Sequence, residues 1–371
     1  MLKQLVPILS IAAESRILSH RQAGRVEESW RASGVEAVIS RPNKDGSVRE
    51  IKLVVQANLV VVSAGSINTP LILKRSGFQN SWIGKNLRIH PVCGLYGYFP
   101  QDVTPHSGAM MTAVVNAVDN PTGDHYGAKL ECPFIHTAFQ AVITQWTGGR
   151  SHKAEMLDIN KRMSIISLCR DTGSGSVSED AQGRPEVQYF LNDRDEASLL
   201  LGQRTAAQIL IAAGATRLGS TTHGIPTIDV DPSKGLNDPE LQSWLAQIAE
   251  AGIEPARTMV VSAHQMGTAR MSISPSQGST RPTGQTWESD NVFICDTSLF
   301  PTPAGSNPMV TTYAVAHLVA QYAKPRLARL KRETHNKLHT GRLQGIQSHA
   351  ALIKILDANF RSLNICIRHV L

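Results

Sequence analysis

His264 stands in the run Ser262-Ala263-His264-Gln265-Met266-Gly267-Thr268-Ala269-Arg270-Met271, where a short apolar segment gives way to a Gly-Thr pair. An imidazole titrates near neutral pH and can take a hydroxyl proton as a neighbouring carbon–hydrogen bond is cleaved. The glycine beside it lets backbone approach a ligand closely. Two further polar groups follow in chain order. Asp296 closes the strand-like run Asn291-Val292-Phe293-Ile294-Cys295, and Asn307 precedes Pro308, Met309 and Val310 in a segment opened by Ala304-Gly305-Ser306. Each residue taken singly has an ordinary structural alternative: a core histidine, an aspartate capping a helix or turn, an asparagine capping the helix that Pro308 opens.

Other chemistries lack their residue patterns. Gly173-Ser174-Gly175-Ser176-Val177-Ser178 nearly spells a dinucleotide fingerprint, but the strand-like residues 186–191 follow it where a helix N-terminus is needed to hold a pyrophosphate, so a hairpin turn is the expectation. No GxSxG, phosphate-binding loop or HExxH pattern occurs. Cys93, Cys132, Cys169, Cys295 and Cys366 are odd in number and widely separated, which argues against zinc and against a disulfide framework and points to a reducing, intracellular compartment.

These groups need a frame. A chain of 371 residues with 42% hydrophobic and 18% charged residues is long enough for one large or two moderate cores. Segments 15–19, 35–40 and 51–57 read as strands, with Asn43-Lys44-Asp45-Gly46 as a hairpin turn. Residues 58–65 form a β-branched run without polar alternation, predicting a strand buried on both faces of a parallel sheet and feeding a helix over 69–75 with Pro70 in its first turn. Residues 93–190 alternate short apolar segments, 92–99 and 164–169 among them, with turn residues, which predicts an antiparallel sheet. A long helix capped by Asp193 follows, with Leu200, Thr205, Ala207, Ile211 and Ala215 as its core stripe; further helices are predicted over 241–250 and 312–322, the last apolar enough to be core.

The formal charge of +7 is concentrated: from Lys324 onward ten Lys/Arg face Glu333 and Asp357, a net of +8, which leaves −1 for residues 1–323. That distribution excludes a nucleic-acid groove spread over the fold; the tail reads as a solvated or ill-packed extension ahead of membrane-surface attachment, and a membrane-associated or peroxisomal location stays open although the C-terminal His-Val-Leu is not Ser-Lys-Leu. Residues 1–13 resemble a secretory apolar core, yet Pro7 interrupts them and Glu14 and Arg16 follow at once, so no cleaved leader is expected. No apolar run reaches the roughly 18 residues of a spanning helix.

The ordered segments HQMGTARM, NVFICDTSLFPTP and SNPMVT, with GSINTPLILKRSG at 65–77 and WIGKNLRIHP at 82–91, resemble the glucose-methanol-choline oxidoreductase family, most closely its long-chain fatty alcohol oxidases, over roughly residues 10–322. The resemblance implies an α/β fold: part of a doubly wound, Rossmann-like FAD-binding domain with an antiparallel-sheet α+β substrate domain. The implied organisation is 1–92 and 220–323 in the FAD-binding domain, 93–219 in the substrate domain and 324–371 as a basic tail. It implies FAD as cofactor, His264 as the catalytic base, and Asn307 as its partner at the substrate hydroxyl. It also places Asp296 against the flavin side chain, with Gly65, Ser66, Pro308 and Met309 as further cofactor contacts.

The implied reaction oxidises a long-chain primary alcohol to the aldehyde, with O2 as acceptor and the fatty alcohol as the small-molecule partner. The sequence departs from the family at several points, residues 278–287 being only loosely like its G-x-V-D stretch. It has no GxGxxG with a following acidic residue, so the resemblance places its start beyond the family's pyrophosphate cradle. Ala269 stands where relatives have Cys, and Ser272 where they have Gly. A noncatalytic chain of this family and a related alcohol dehydrogenase or sterol oxidase are the alternatives.

Overall fold

The computed structural model describes residues 16–20 and 31–339. The expectations for residues 1–13, for Cys366 and for the tail beyond residue 339 lie outside them. Strands β1 (Arg16–His20), β2 (Arg31–Pro42) and β3 (Val48–Gln56) form an antiparallel sheet in that order. The turn between β2 and β3 falls at Asn43 to Gly46 as its dipeptide chemistry predicts, closed by Asn43 donating to the Ser47 carbonyl at 2.7 Å.

Strand β4 (Val60–Val62) runs into helix α1 (Gly65–Arg75). The predicted helix start was too late. α1 opens at Gly65 and carries Pro70 in its interior. Proline lacks the N–H that would bond to the carbonyl four residues back, that of Ser66. Thr268 supplies the replacement donor, its hydroxyl lying 2.7 Å from that oxygen.

After β5 (Lys85–Leu87) the chain builds β6 (Val92–Tyr98), β7 (Met111–Val115) and β8 (Ala128–Pro133). Helices α2 (Thr137–Ile143) and α3 (Gly149–Leu157) lead to β9 (Arg162–Cys169). Strands β10 (Gly175–Glu179) and β11 (Pro185–Gln188) make a hairpin. Its turn lies at residues 180–184, not at 173–178 as expected, because Gly175 to Glu179 are themselves paired in β10.

Helix α4 (Asp193–Ala212), β12 (Arg217–Ser220), β13 (Ile228–Asp229) and α5 (Pro239–Ala251) complete this half. Six strands form one antiparallel sheet in the order β13-β12-β6-β9-β8-β7; β6 to β9 come from the alternating region expected to build it, while β12 and β13 join from beyond residue 190 and β10 and β11 form a sheet with β5 instead. The division expected at residue 219 falls inside β12.

α4 lies on this sheet. Ala206, Ala207, Leu210 and Ile211 pack with Leu95, Leu130 and Ile165 from the strands and with Leu241, Trp244 and Ile248 of α5. Each fully buried leucine contributes roughly 2 kcal/mol. The helix approaches so closely at Gly202 that a Cβ there would lie 1.9 Å from Ser167 Oγ. Its cap is Asn192, accepting from the Asp195 N–H at 2.8 Å; Asp193 is the first helical residue, where its charge suits the helix N-terminus. The buried stripe is 195, 198–199, 202–203, 206–207 and 210–211, so the expected Leu200 and Thr205 sit at its margin.

Strand β14 (Val292–Ile294) pairs in parallel with β4, matching Val60 to Val292 and Val62 to Ile294, and helix α6 (Met309–His339) ends the described chain. The parallel pairing holds, but burial on both faces does not: Val60 and Val62 are buried while Val61 is 41% exposed. The start of α6 corrects the expectation of a core helix, for Met309, Val310, Tyr313, Leu318 and Tyr322 are exposed and Val319 is buried. The chain divides between Ala323 and Lys324 into two compact units, and the contacts described here belong to the first. Among the described residues no helix is long and apolar enough to cross a membrane.

Candidate active site

Backbone pairing brings the WIGKNLRIHP segment against HQMGTARM. Arg88 bridges Met266, and Val92 bridges Val261, both antiparallel. The paired bonds are 2.8–2.9 Å at the first bridge and 2.9–3.0 Å at the second. His90 and His264 occupy opposed positions between them. Their Nδ1 atoms are 3.2 Å apart and their rings meet edge-on, with centroids 5.3 Å apart. Ser262 stiffens the approach to His264 by donating to the Ile89 carbonyl while accepting from the His264 N–H at 3.2 Å.

His264 is half-buried, and burial lowers its pKa. His90 is fully buried, and burial pushes its pKa down to about 3, with the neighbouring His264, Arg170 and Lys129 acting in the same direction. Burial disfavours the charged form of an imidazole, so both rings are neutral near pH 7. Asp171 anchors the backbone here, accepting from Ile89 N–H at 3.0 Å and His90 N–H at 3.2 Å. Burial raises the Asp171 pKa, while those hydrogen bonds oppose the rise.

The Asn307 segment reaches this pair through its backbone. Gly305 N–H donates to His90 Nε2 at 3.0 Å. Gly305 has φ +74°, a conformation suited to glycine, and a Cβ there would lie 2.8 Å from Arg170 Cδ. Asn307 itself turns its amide to Glu131, with Nδ2 3.4 Å from Oε2. Burial raises the pKa of Glu131, opposed by the Asn307 amide and Lys129. His264 and Asn307 are therefore linked through His90 and Gly305 and make no hydrogen bond to each other.

Asp296, Gly65 and Ser66 form a second group. Asp296 Oδ2 accepts from Gly65 N–H at 3.0 Å and Thr69 Oγ1 at 2.7 Å, and Oδ1 accepts from Ser298 N–H at 2.7 Å. The carboxylate thus caps α1 and a single 3-10 turn at Thr297–Leu299. Ser66 is buried, its hydroxyl 3.3 Å from Thr297 Oγ1. Thr268 joins this group to the His264 segment through the Ser66 carbonyl. Parallel to it, Gly267, Ala269 and Met271 donate to the carbonyls of Thr297, Ser298 and Leu299.

Pro308 is buried directly before α6. The first-turn N–H groups of Met309, Val310 and Thr311 have no acceptor within the helix, and those residues are exposed. This donor set fits the electron-rich pyrimidine edge of a flavin ring. Asp296 accepts three hydrogen bonds of the roughly four a carboxylate can take, leaving capacity for a ligand hydroxyl.

Three residues of this network escape sequence reasoning: His90, Glu131 and Asp171. His90 stands within the WIGKNLRIHP segment but carries no signal of its own beyond its place before Pro91. Its partner lies 174 positions away. Cys93, Cys132, Cys169 and Cys295 are free thiols, and among the described residues no group of His, Cys, Asp and Glu could hold a metal ion.

Two family models described as GMC oxidoreductase match the chain, an N-terminal one over residues 3–92 and a C-terminal one over 171–316. One long-chain-alcohol oxidase of Arabidopsis thaliana is 35% identical over 72% of the chain and 37% of its own length. A second from the same plant is 31% identical over 85% and 42%. The chain thus spans about two fifths of these relatives' length.

Among solved structures, pyridoxine 4-oxidase from Mesorbium loti aligns with TM-score 0.55 at 16% identity, covering 83% of this chain and 57% of that one. Formate oxidase aligns with TM-score 0.55 at 17% identity, covering 81% and 58%. These likenesses carry the α/β fold. The two family models in chain order and the sequence relatives carry the lineage: this chain belongs to the GMC oxidoreductase family.

Proposed function

We propose that the chain carries the substrate-facing part of an FAD-dependent oxidoreductase acting on the CH–OH group of a long-chain primary alcohol, yielding the aldehyde and passing the electrons to O2. The observation that carries this reading is His264: a half-buried imidazole whose Nδ1 is engaged by His90 and whose Nε2 has no hydrogen-bond partner among the described residues. The named activity of the curated relatives supports the substrate class.

Bound flavin supplies the acceptor for the hydride that leaves the alcohol carbon. The chain supplies the rest. His264 Nε2 and the Asn307 amide hold the hydroxyl oxygen, His264 being the group that receives the hydroxyl proton. Glu131, by accepting from the Asn307 Nδ2, orients that amide. Asp296 and the first-turn N–H groups of α6 provide the polar contacts for the cofactor, with Gly65, Ser66, Pro308 and Met309 shaping the backbone around it. Balance requires one alcohol and one O2 to give one aldehyde and one hydrogen peroxide.

The test uses purified protein incubated with FAD, freed of excess cofactor and mixed with a fatty alcohol. Retained flavin absorbance near about 370 and 450 nm, bleached by alcohol without air and restored with peroxide on aeration, is the expected result. Retained flavin that no primary alcohol bleaches overturns the reading, and failure to retain flavin favours a noncatalytic chain.

A further inference from the structure

The paired imidazoles hold more information than their proximity. Two neutral rings whose Nδ1 atoms lie 3.2 Å apart share one proton between those atoms, since two N–H groups or two lone pairs would repel. Gly305 decides which ring owns it. Its N–H points at His90 Nε2 from 3.0 Å, so that nitrogen must present a lone pair. A neutral imidazole with its lone pair on Nε2 carries its proton on Nδ1. His90 Nδ1–H therefore donates to His264 Nδ1, and the proton of His264 resides on Nε2.

The ring of His90 is well fixed for this task. It is fully buried, its backbone sits at φ +46°, and Asp171 holds its N–H. A non-glycine residue in the left-handed region persists where its surroundings over-determine it. Here the two bridges on either side of the histidine pair and the Asp171 carboxylate do so.

We propose that His90 is a positioning residue that fixes the tautomer of His264, presenting Nε2–H on the open side, and that the Gly305 contact is what locks it. The meaning of this for turnover rests on the function proposed above. In the locked form the substrate oxygen meets a hydrogen-bond donor. To receive the hydroxyl proton at Nε2, His264 must first carry its own proton on Nδ1.

That exchange has a definite proton count. His264 Nε2 releases one proton to water, one passes from His90 Nδ1 to His264 Nδ1, and His90 Nε2 takes one from water. The total is unchanged. The product state points two N–H groups at each other, Gly305 and His90, so Gly305 must move away. Because Gly305 stands two residues before Asn307, displacement of this loop and basicity at His264 are coupled.

The experiment is a long-range proton–nitrogen NMR correlation on the full chain, labelled with nitrogen-15 in the histidine rings, at neutral pH and without flavin or alcohol. The His264 signals are assigned by their loss in His264→Gln. The expected pattern for His264 is a protonated Nε2 and an unprotonated Nδ1; the reverse pattern overturns the proposal. In His90→Asn, chosen because asparagine tolerates a positive φ, His264 is expected to show averaged signals of both tautomers, and an unchanged pattern there also overturns it. The wild-type spectrum decides alone if that variant does not fold. Since no cofactor or substrate is present, failure of alcohol oxidation bears on the proposed function and leaves this result standing.

Discussion

The Thr268 hydroxyl donates to the Ser66 carbonyl at 2.7 Å, the one acceptor that Pro70 leaves without its helical N–H. This bond unites two sequence motifs separated by about two hundred residues. The small-residue turn after β4 and the HQMGTARM segment are held in register by one buried oxygen, and through it the His264 segment is fixed to α1.

Thr268→Val is expected to destabilise the protein by about 1–3 kcal/mol, the cost of leaving a buried carbonyl unpaired. Pro70→Ala restores an N–H to that carbonyl, so the same substitution in its background should cost less by about 1 kcal/mol. Urea unfolding of the two single variants and the double variant measures the coupling. Strict additivity would show that Ser66 has another donor.

His264→Gln in flavin-loaded protein is expected to lower kcat for a fatty alcohol by about two orders of magnitude or more, a typical contribution of positioned proton transfer. Flavin absorbance should persist, because the cofactor contacts proposed above, Asp296 and the α6 N-terminus, lie on other segments. Turnover unchanged within a factor of about two removes His264 from the chemistry.

The sequence made the larger elements readable where one periodicity ruled. The alternating segments at 92–99 and 164–169 became β6 and β9, and Asn43 to Gly46 became a turn, because side-chain period and turn dipeptides act locally. Three readings failed where tertiary contacts decided. Pro70 is tolerated inside α1 with Thr268 supplying the missing donor, whereas one face of β4 at Val61 and the apolar start of α6 are exposed although their local composition reads as core. The site divides in the same way. His264, Asp296 and Asn307 stand in conspicuous local runs, whereas His90, Glu131 and Asp171 gain their roles only from contacts across the fold.

Asp296→Asn tests how far the second polar group supports the fold before any ligand is considered. The carboxylate accepts from Gly65 N–H, Thr69 Oγ1 and Ser298 N–H, and an amide can present only one oxygen to these donors. A loss of about 1–3 kcal/mol is expected by urea unfolding without flavin. Undiminished stability would reserve Asp296 for ligand binding.

The buried imidazole of His90 gives acid sensitivity a definite direction. Its pKa falls from an ordinary 6.5 to about 3 in the folded chain, chiefly through burial. Above pH 6.5 the ring is neutral folded and unfolded, and the difference in bound protons vanishes. As pH drops from 6.5 toward 3 the unfolded chain binds a proton that the folded chain refuses, so stability declines by at most about 1.4 kcal/mol per pH unit. The lowered pKa of His264 acts in the same direction, and the raised pKa of Asp171, which contacts the His90 backbone, acts in the opposite one. Comparing wild type with His90→Asn isolates the term: unfolding midpoints of the wild type should fall more steeply below pH 6.5, and parallel curves would mean that His90 takes up its proton without leaving the folded state.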